Sequence, residues 1–232
     1  MKYEDYKKKE EARLQTAIRH LENGVGIEDI HSVYIGADVV IEEGAYIGPC
    51  VTLEGKTKIA KGARILQNSR IVDSEIGEDC EIASSVVLES TVGKGTKVGP
   101  FAYIRPDSKI GEGCKIGDFV EVKNSTFGDG SKSAHLTYIG DADVGKGVNL
   151  GCGIVFVNYD GSNKARTTVG DDAFIGCNTN LISPVTVGDG AYIAAGSTIT
   201  EDVPGDALGI ARARQENKDG WASKKGLYHK KK

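Results

Sequence analysis

The 232-residue sequence predicts an all-β chain, a prism of short strands stacked coil upon coil, and three observations predict it. The first is an aliphatic residue at every sixth position. Ile35, Ile41, Ile47, Leu53, Ile59, Ile65 and Ile71 form one run, and Ile76, Ile82 and Leu88 a second. Val92, Val98, Ile104, Ile110, Ile116 and Val122 form a third, and Val169, Ile175, Leu181, Val187, Ile193 and Ile199 a fourth. A period of six fits neither a 3.6-residue helix nor a simple alternating strand. The second is the small residue that commonly follows the aliphatic, as at Gly36, Gly48, Gly111, Gly117, Gly170 and Gly176, where it leaves room for the backbone to bend. The third is composition: 31 Gly but 5 Pro, with aromatics at 6% and a single Trp and Met. A core limited to Val, Ile, Leu and Ala suits a narrow interior.

Three hexads make one coil of 18 residues, with successive coils about 4.8 Å apart. About nine coils between Val33 and Asp202 would build a rod roughly 40 Å long. Residues 1–24 are dense in Lys, Glu and Arg, with Leu14, Ile18 and Leu21 at helical spacing, which predicts a linking helix with one narrow apolar stripe. Residues 25–204 form the repeat domain, with an inserted loop near 157–168. Residues 205–232 begin with turn formers and continue as a basic arm, whose aromatic anchor, Trp221, is expected to fold back or to dock on a neighbour.

The net charge of −4 conceals an asymmetry, because residues 212–232 hold eight Lys/Arg against two acids. The remainder is acidic and unsuited to non-specific nucleic-acid binding. Five cysteines, Cys50, Cys80, Cys114, Cys152 and Cys177, are odd in number and lack a CxxC pair, so neither a disulfide framework nor a zinc knuckle is indicated. No apolar run reaches about 18 residues and no signal peptide is present, which predicts a soluble, cytoplasmic protein without membrane contact.

Function is sought where the repeat breaks its own rule. The small position after the inward aliphatic becomes Arg105 after Ile104 and Lys123 after Val122, one coil apart on one face. Like charges on neighbouring strands are destabilising unless an anion lies beside them, so a phosphate site is expected. Stepping six from Phe127 reaches Ser133, where an aliphatic is due, and the segment that follows contains His135 and Tyr138. Of the four histidines, His135 alone lies well inside the repeat; a neutral imidazole there suits proton abstraction from an attacking amine or hydroxyl. Glu121 could hold a polar substrate or orient the base. From Phe156 to Val169 the spacing is 13, and the turn residues Asn158, Tyr159, Asp160 and Gly161 predict a projecting loop that offers Lys164 as a further cation.

The hexads resemble those of the hexapeptide-repeat acyltransferases, and that resemblance implies a left-handed parallel β-helix. More specifically, NSRIVDS, VGPFAYIRP, GDFVEVKNS, HLTYIGDADVG, VNLGCG, VNYDGSNK and ARARQENKDGW resemble the acetyltransferase domain of the bacterial bifunctional enzyme that makes UDP-N-acetylglucosamine. The likeness runs nearly end to end. It implies acetyl transfer from acetyl-CoA, as co-substrate, to the amino group of glucosamine 1-phosphate. His135 matches that family's catalytic base, and Arg105, Lys123, Tyr138 and Asn149 match positions holding the sugar phosphate. Asn158, Tyr159, Cys152, Cys177 and Ala195 match the acetyl-CoA groove, Arg212 matches an arm residue meeting the CoA phosphates, and Lys164 fits the phosphate-facing loop. Direct transfer is expected, with Cys152 and Cys177 not acting as nucleophiles.

The resemblance also implies a homotrimer with sites between subunits. The family's uridylyltransferase domain, with its nucleotide loop and the magnesium that belongs to it, is expected to be absent from this chain, and no metal is expected for this half. A different hexapeptide sugar-amine or serine acyltransferase, a zinc-dependent γ-class carbonic anhydrase and a non-catalytic scaffold remain as alternatives. The last would lack His135, and the anhydrase needs more histidines inside the repeat than this chain has.

Overall fold

A computed structural model describes residues 1–227; the last five residues of the arm, 228–232, with His229, lie outside the described residues. The chain winds as a left-handed parallel β-helix whose strands, mostly two or three residues long, fall into three parallel sheets of 11, 10 and 9 strands. Face one runs from Gly26–Ile27 to Leu208–Gly209, face two from Tyr34–Ile35 to Thr198–Ile199, and face three from Val40–Ile41 to Thr186–Val187. The stack is about ten coils rather than nine, because its first and last strands lie outside the span Val33 to Asp202.

Most strands turn one aliphatic side chain into the prism, and Ile47, Ile65, Ile82, Ile104, Ile116, Val122, Ile139, Ile175 and Ile193 are fully buried, while Phe127, Phe156 and Ser133 take the inward place on theirs. Coil length is not uniform. The step from Ile65 to its partner Ile82 is 17 residues and from Ile82 to Val98 is 16, so Val87, not Leu88, is the inward residue of Val86–Leu88.

Hydroxyls complete the corners. Ser125 Oγ donates to the Lys123 carbonyl (2.7 Å) and accepts from Ala142 N (2.9 Å), and Ser131 Oγ donates to Gly145 O (2.7 Å) and accepts from Val148 N (2.9 Å). A turn that leaves the ladder would otherwise bury backbone groups without partners.

Helix α1, Tyr3–Glu22, closes the N-terminal end of the prism. Its docking face is centred on Arg13, Ala17 and His20 rather than on Leu14, Ile18 and Leu21; Ala17 and His20 are buried, whereas Leu21 is exposed. Arg13 draws the helix onto that face by donating to the carbonyls of Ile30 (3.1 Å) and Val33 (2.7 Å) in the first coil. An open solenoid end needs such a polar cap.

At the other end the arm leaves after Ala211, whose carbonyl accepts from Thr198 N (3.0 Å). It carries a short helix, Trp221–Lys224, in which Trp221 is half exposed. Among the described residues no helix is long and apolar enough to cross a membrane.

Candidate active site

Most of the predicted residues lie at one edge of the prism, the corner between faces one and two, and on the adjoining part of face two. His135 ends the strand Lys132–His135 on face one, and Tyr138 begins Tyr138–Gly140 on face two, so the two groups meet across a two-residue turn, Leu136 and Thr137.

The corner group is a column with one residue per coil. Asp118 and His135 are register partners, with Asp118 Oδ1 2.6 Å from His135 Nδ1. The hydrogen bond to His135, together with the Asp118 backbone and the nearby Lys115, holds the Asp118 carboxyl below the usual carboxylate range. Below it the backbone repeats at each coil: Gly153 N donates to Leu136 O (3.1 Å), Asn178 N to Cys152 O (2.8 Å) and Gly196 N to Cys177 O (2.8 Å). His135, Cys152, Cys177 and Ala195 therefore line one edge, and the Arg212 side chain passes beside Gly196 at its foot. An apolar ridge flanks the top of the column, made by Phe101, Phe119 and Leu136 on successive coils. All three are exposed and have φ between 46° and 60°, and the two phenyl rings stack at 5.6 Å. Bulky side chains at positive φ are unusual and cluster where function constrains the backbone.

The face-two group is cationic but compensated. Arg105 and Lys123 stack one coil apart, as expected, yet each has its own carboxylate: Arg105 Nη1 lies 2.6 Å from Glu121 Oε1, and Lys123 Nζ 3.4 Å from Asp141 Oδ2. Glu121 is thus engaged by Arg105, and the carboxylate that meets His135 is Asp118 instead. Asp141 is the hub. Burial opposes its charge, but donation from Asn124 (2.6 Å), Asn158 and Lys123 holds its carboxyl below the ordinary range. Burial also opposes the charge on Lys123, but the negative charge of Asp141 helps to raise its pKa. Lys164 moves the other way, lowered by its contact with Lys123 and by that residue's charge. A second cation so close to Lys123 makes this a position where a dianion would be stabilised.

The inserted loop brings Lys164 there. Tyr159 and Lys164 form an antiparallel bridge, and Asp160 Oδ1 accepts from Ser162 N (2.7 Å) and Asn163 N (2.6 Å), so the loop is a tight hairpin. Asn158 straps its start to Asp141 and to the Tyr138 hydroxyl (3.4 Å). Arg166 straps its end, with a fork onto Asp143 and bonds to the carbonyls of Asn124 (2.9 Å) and Ala142 (3.0 Å). Tyr138 itself lies over Gly140, where a Cβ would run into the phenol.

Two predicted residues stand apart. Asn149 faces outward on face one between Lys132 and Phe174, away from Arg105 and Lys123. Tyr159 is exposed and donates to Gly161 O (2.7 Å). Among the described residues no group of three or more His, Cys, Asp or Glu side chains could hold a metal ion.

The repeat is shared with known proteins. The model of the bacterial transferase hexapeptide (six repeats) matches residues 89–124 and 166–201. The bifunctional protein GlmU of Clostridium novyi is 61% identical over 215 residues, which are 93% of this chain and 47% of that protein. The two matched stretches, 89–124 and 166–201, carry the hexapeptide repeat of bacterial transferases. The bifunctional protein GlmU of Thermoanaerobacter pseudethanolicus is 55% identical over 89% of the chain and 45% of its own length. The chain therefore spans about half the length of the curated relatives it matches. Among solved structures, LpxA, a UDP-N-acetylglucosamine acyltransferase from Bacteroides fragilis, superposes with a TM-score of 0.53 at 19% identity. That match covers 76% of this chain and 69% of LpxA and supports the hexapeptide-repeat fold alone.

Proposed function

We propose that this chain is a glucosamine-1-phosphate N-acetyltransferase that uses acetyl-CoA and makes N-acetylglucosamine 1-phosphate, a precursor of UDP-N-acetylglucosamine. The observation that carries the reading is a carboxylate-paired imidazole, His135, at the end of the strand that leads through Leu136 and Thr137 into Tyr138–Gly140, the strand paired with Glu121–Lys123, where Arg105, Lys123 and Lys164 gather. The cations fix the sugar phosphate, with Lys123 held in place by Asp141 and Asn158 and the phenol of Tyr138 beside them. The column of Cys152, Cys177 and Ala195, with Arg212 at its foot, offers a small-residue edge along which the acetyl-CoA thioester and phosphates can lie. Holding both substrates there makes the transfer effectively unimolecular. His135 takes a proton as the amine attacks the thioester carbon, the C–S bond breaks, and the CoA sulfur leaves with the electron pair.

The protein is read as a cytoplasmic homotrimer, in which Asn149, remote from the cluster within one chain, would serve a site completed by a second copy. No metal is required by these steps.

Thiol release is the test, with acetyl-CoA and glucosamine 1-phosphate against free glucosamine and serine as acceptors. Release that depends on the phosphate and falls at least about 100-fold in His135→Ala is expected. No release with any acceptor, or full activity in His135→Ala, would sink the reading; preference for another amino sugar would point to a different acyltransferase of the same family.

A further inference from the structure

We infer that Asp118 is a positioning residue for His135: it holds the imidazole in the Nδ1–H tautomer and turns Nε2 outward toward the acceptor amine. This rests on the acetyltransferase reading above.

Three features of the backbone build the pair. Nine of the eleven face-one strands have two residues, while Lys115–Asp118 and Lys132–His135 have four, and the extra pairing is what carries Asp118 into register with His135. The lengthening depends on Gly117, where a Cβ would run into the Ala134 carbonyl, so any side chain there would push the two strands apart at the dyad. Beyond the dyad the backbone is pinned again: Leu136 N donates to Asp118 O (2.9 Å) and Thr137 Oγ1 donates to His135 O (2.8 Å). Adjacent parallel strands held on both sides of a residue pair leave little freedom to the side chains between them.

The chemistry follows from what a carboxylate can do. Ionised Asp118 only accepts, so at 2.6 Å His135 Nδ1 is the donor and Nε2 keeps its lone pair. When the amine attacks, the N–C bond forms, the proton passes from nitrogen to Nε2, and the thioester C–S bond breaks with its electrons on sulfur. The imidazolium formed then faces a fixed negative charge, and its proton neutralises the departing thiolate. Asp118 is not protonated in this sequence and touches neither substrate. Glu121, the nearest alternative by sequence, is already paired to Arg105.

The test combines kinetics with nitrogen NMR on protein carrying 15N-labelled histidine, with His135→Ala used to identify the His135 signals. In the wild type His135 is expected as the Nδ1–H tautomer. In Asp118→Ala that preference should be lost, kcat should fall about 10- to 100-fold and KM for both substrates should stay within about threefold. Asp118→Asn retains an acceptor oxygen and should restore the tautomer and part of the rate. The double variant Asp118→Ala/His135→Ala should be no slower than His135→Ala alone, because Asp118 acts only through the ring.

A kcat in Asp118→Ala within about twofold of wild type, an unchanged tautomer, or additive losses in the double variant would overturn the inference. Should Asp118→Ala fail to fold, the Asp118→Asn rate and tautomer decide: an Nδ1–H ring with a partly reduced kcat supports the role, and a changed tautomer or an unreduced kcat refutes it. If the wild type releases no thiol, the acetyltransferase reading fails while the tautomer measurement still decides whether Asp118 sets the ring.

Discussion

The coils before Gly99 and those from Phe101 to Arg166 are built on the same aliphatic core, yet their outward residues behave differently. In the first stretch charges pair one coil apart in the open: Lys58 with Glu75, Arg70 with Glu54 and Lys94 with Glu78, all with side chains close to half exposed or more. Pairs of that kind contribute little. In the second stretch Lys123 and Asp141 are 19% and 8% exposed, tied to Asn124 and Asn158, and crowded by Lys164. The difference teaches that a solenoid makes a site by sinking a few of its ladder charges and bracing them with a loop, while leaving the core period intact.

Exchanging Lys123 for Met should separate the two stretches most strongly. Asp141 would be left buried with its cation gone, which costs about 1–3 kcal/mol in unfolding free energy and removes binding of the phosphorylated acceptor. Lys58→Met, its counterpart in the regular stretch, should leave the urea midpoint unchanged. Equal losses from both would erase the contrast.

A subtler comparison lies inside the core. Ser125 Oγ bridges a carbonyl and an amide, whereas Ser133 Oγ is buried without a partner at an inward position between Ile116 and Leu150. Ser125→Ala should therefore cost about 1 kcal/mol in chemical denaturation and Ser133→Ala nothing, or a gain of up to about 1 kcal/mol. The reverse order would show that Ser133 has a role in the site beside it.

The smallest effect concerns the cap. His20 is buried with Nε2 unpartnered, and burial first, then Arg19, lowers its pKa. Below its unfolded value of about 6.5 the unfolded chain takes a proton that the folded pocket resists, so stability declines as pH falls through that region. Between pH 7 and pH 5.5 the Tm of the wild type should drop about 2–4 °C more than that of His20→Leu. Parallel curves would show that α1 opens without titrating His20.

Much of this was legible in the residues themselves. The period of six gave the prism, Ser133 and His135 marked a broken coil, and the spacing from Phe156 to Val169 marked the loop. The partners that make the site were harder to read. Asp118 lies in a motif that also contains Glu121, and no pattern says which carboxylate meets the imidazole; a 17-residue step from Asp118 to His135 was the available signal. Asp141 and Arg166 read as ordinary turn and loop residues, although one anchors Lys123 and the other ties down the loop. The docking face of α1 escaped because an arginine, not a leucine, reaches the first coil's carbonyls.

The sequence by itself determined the repeating inward aliphatic, the narrow core and the places where the rule fails, because a fixed period constrains the backbone wherever it holds. Only the tertiary structure decided which charges pair, since coils of 16, 17 and 18 residues and one of 25 shift the stacking of outward side chains from turn to turn. A hydrogen bond at 2.6 Å between Asp118 and His135 depends on that summed register and on the glycine that lets the strands close, neither of which a local pattern carries.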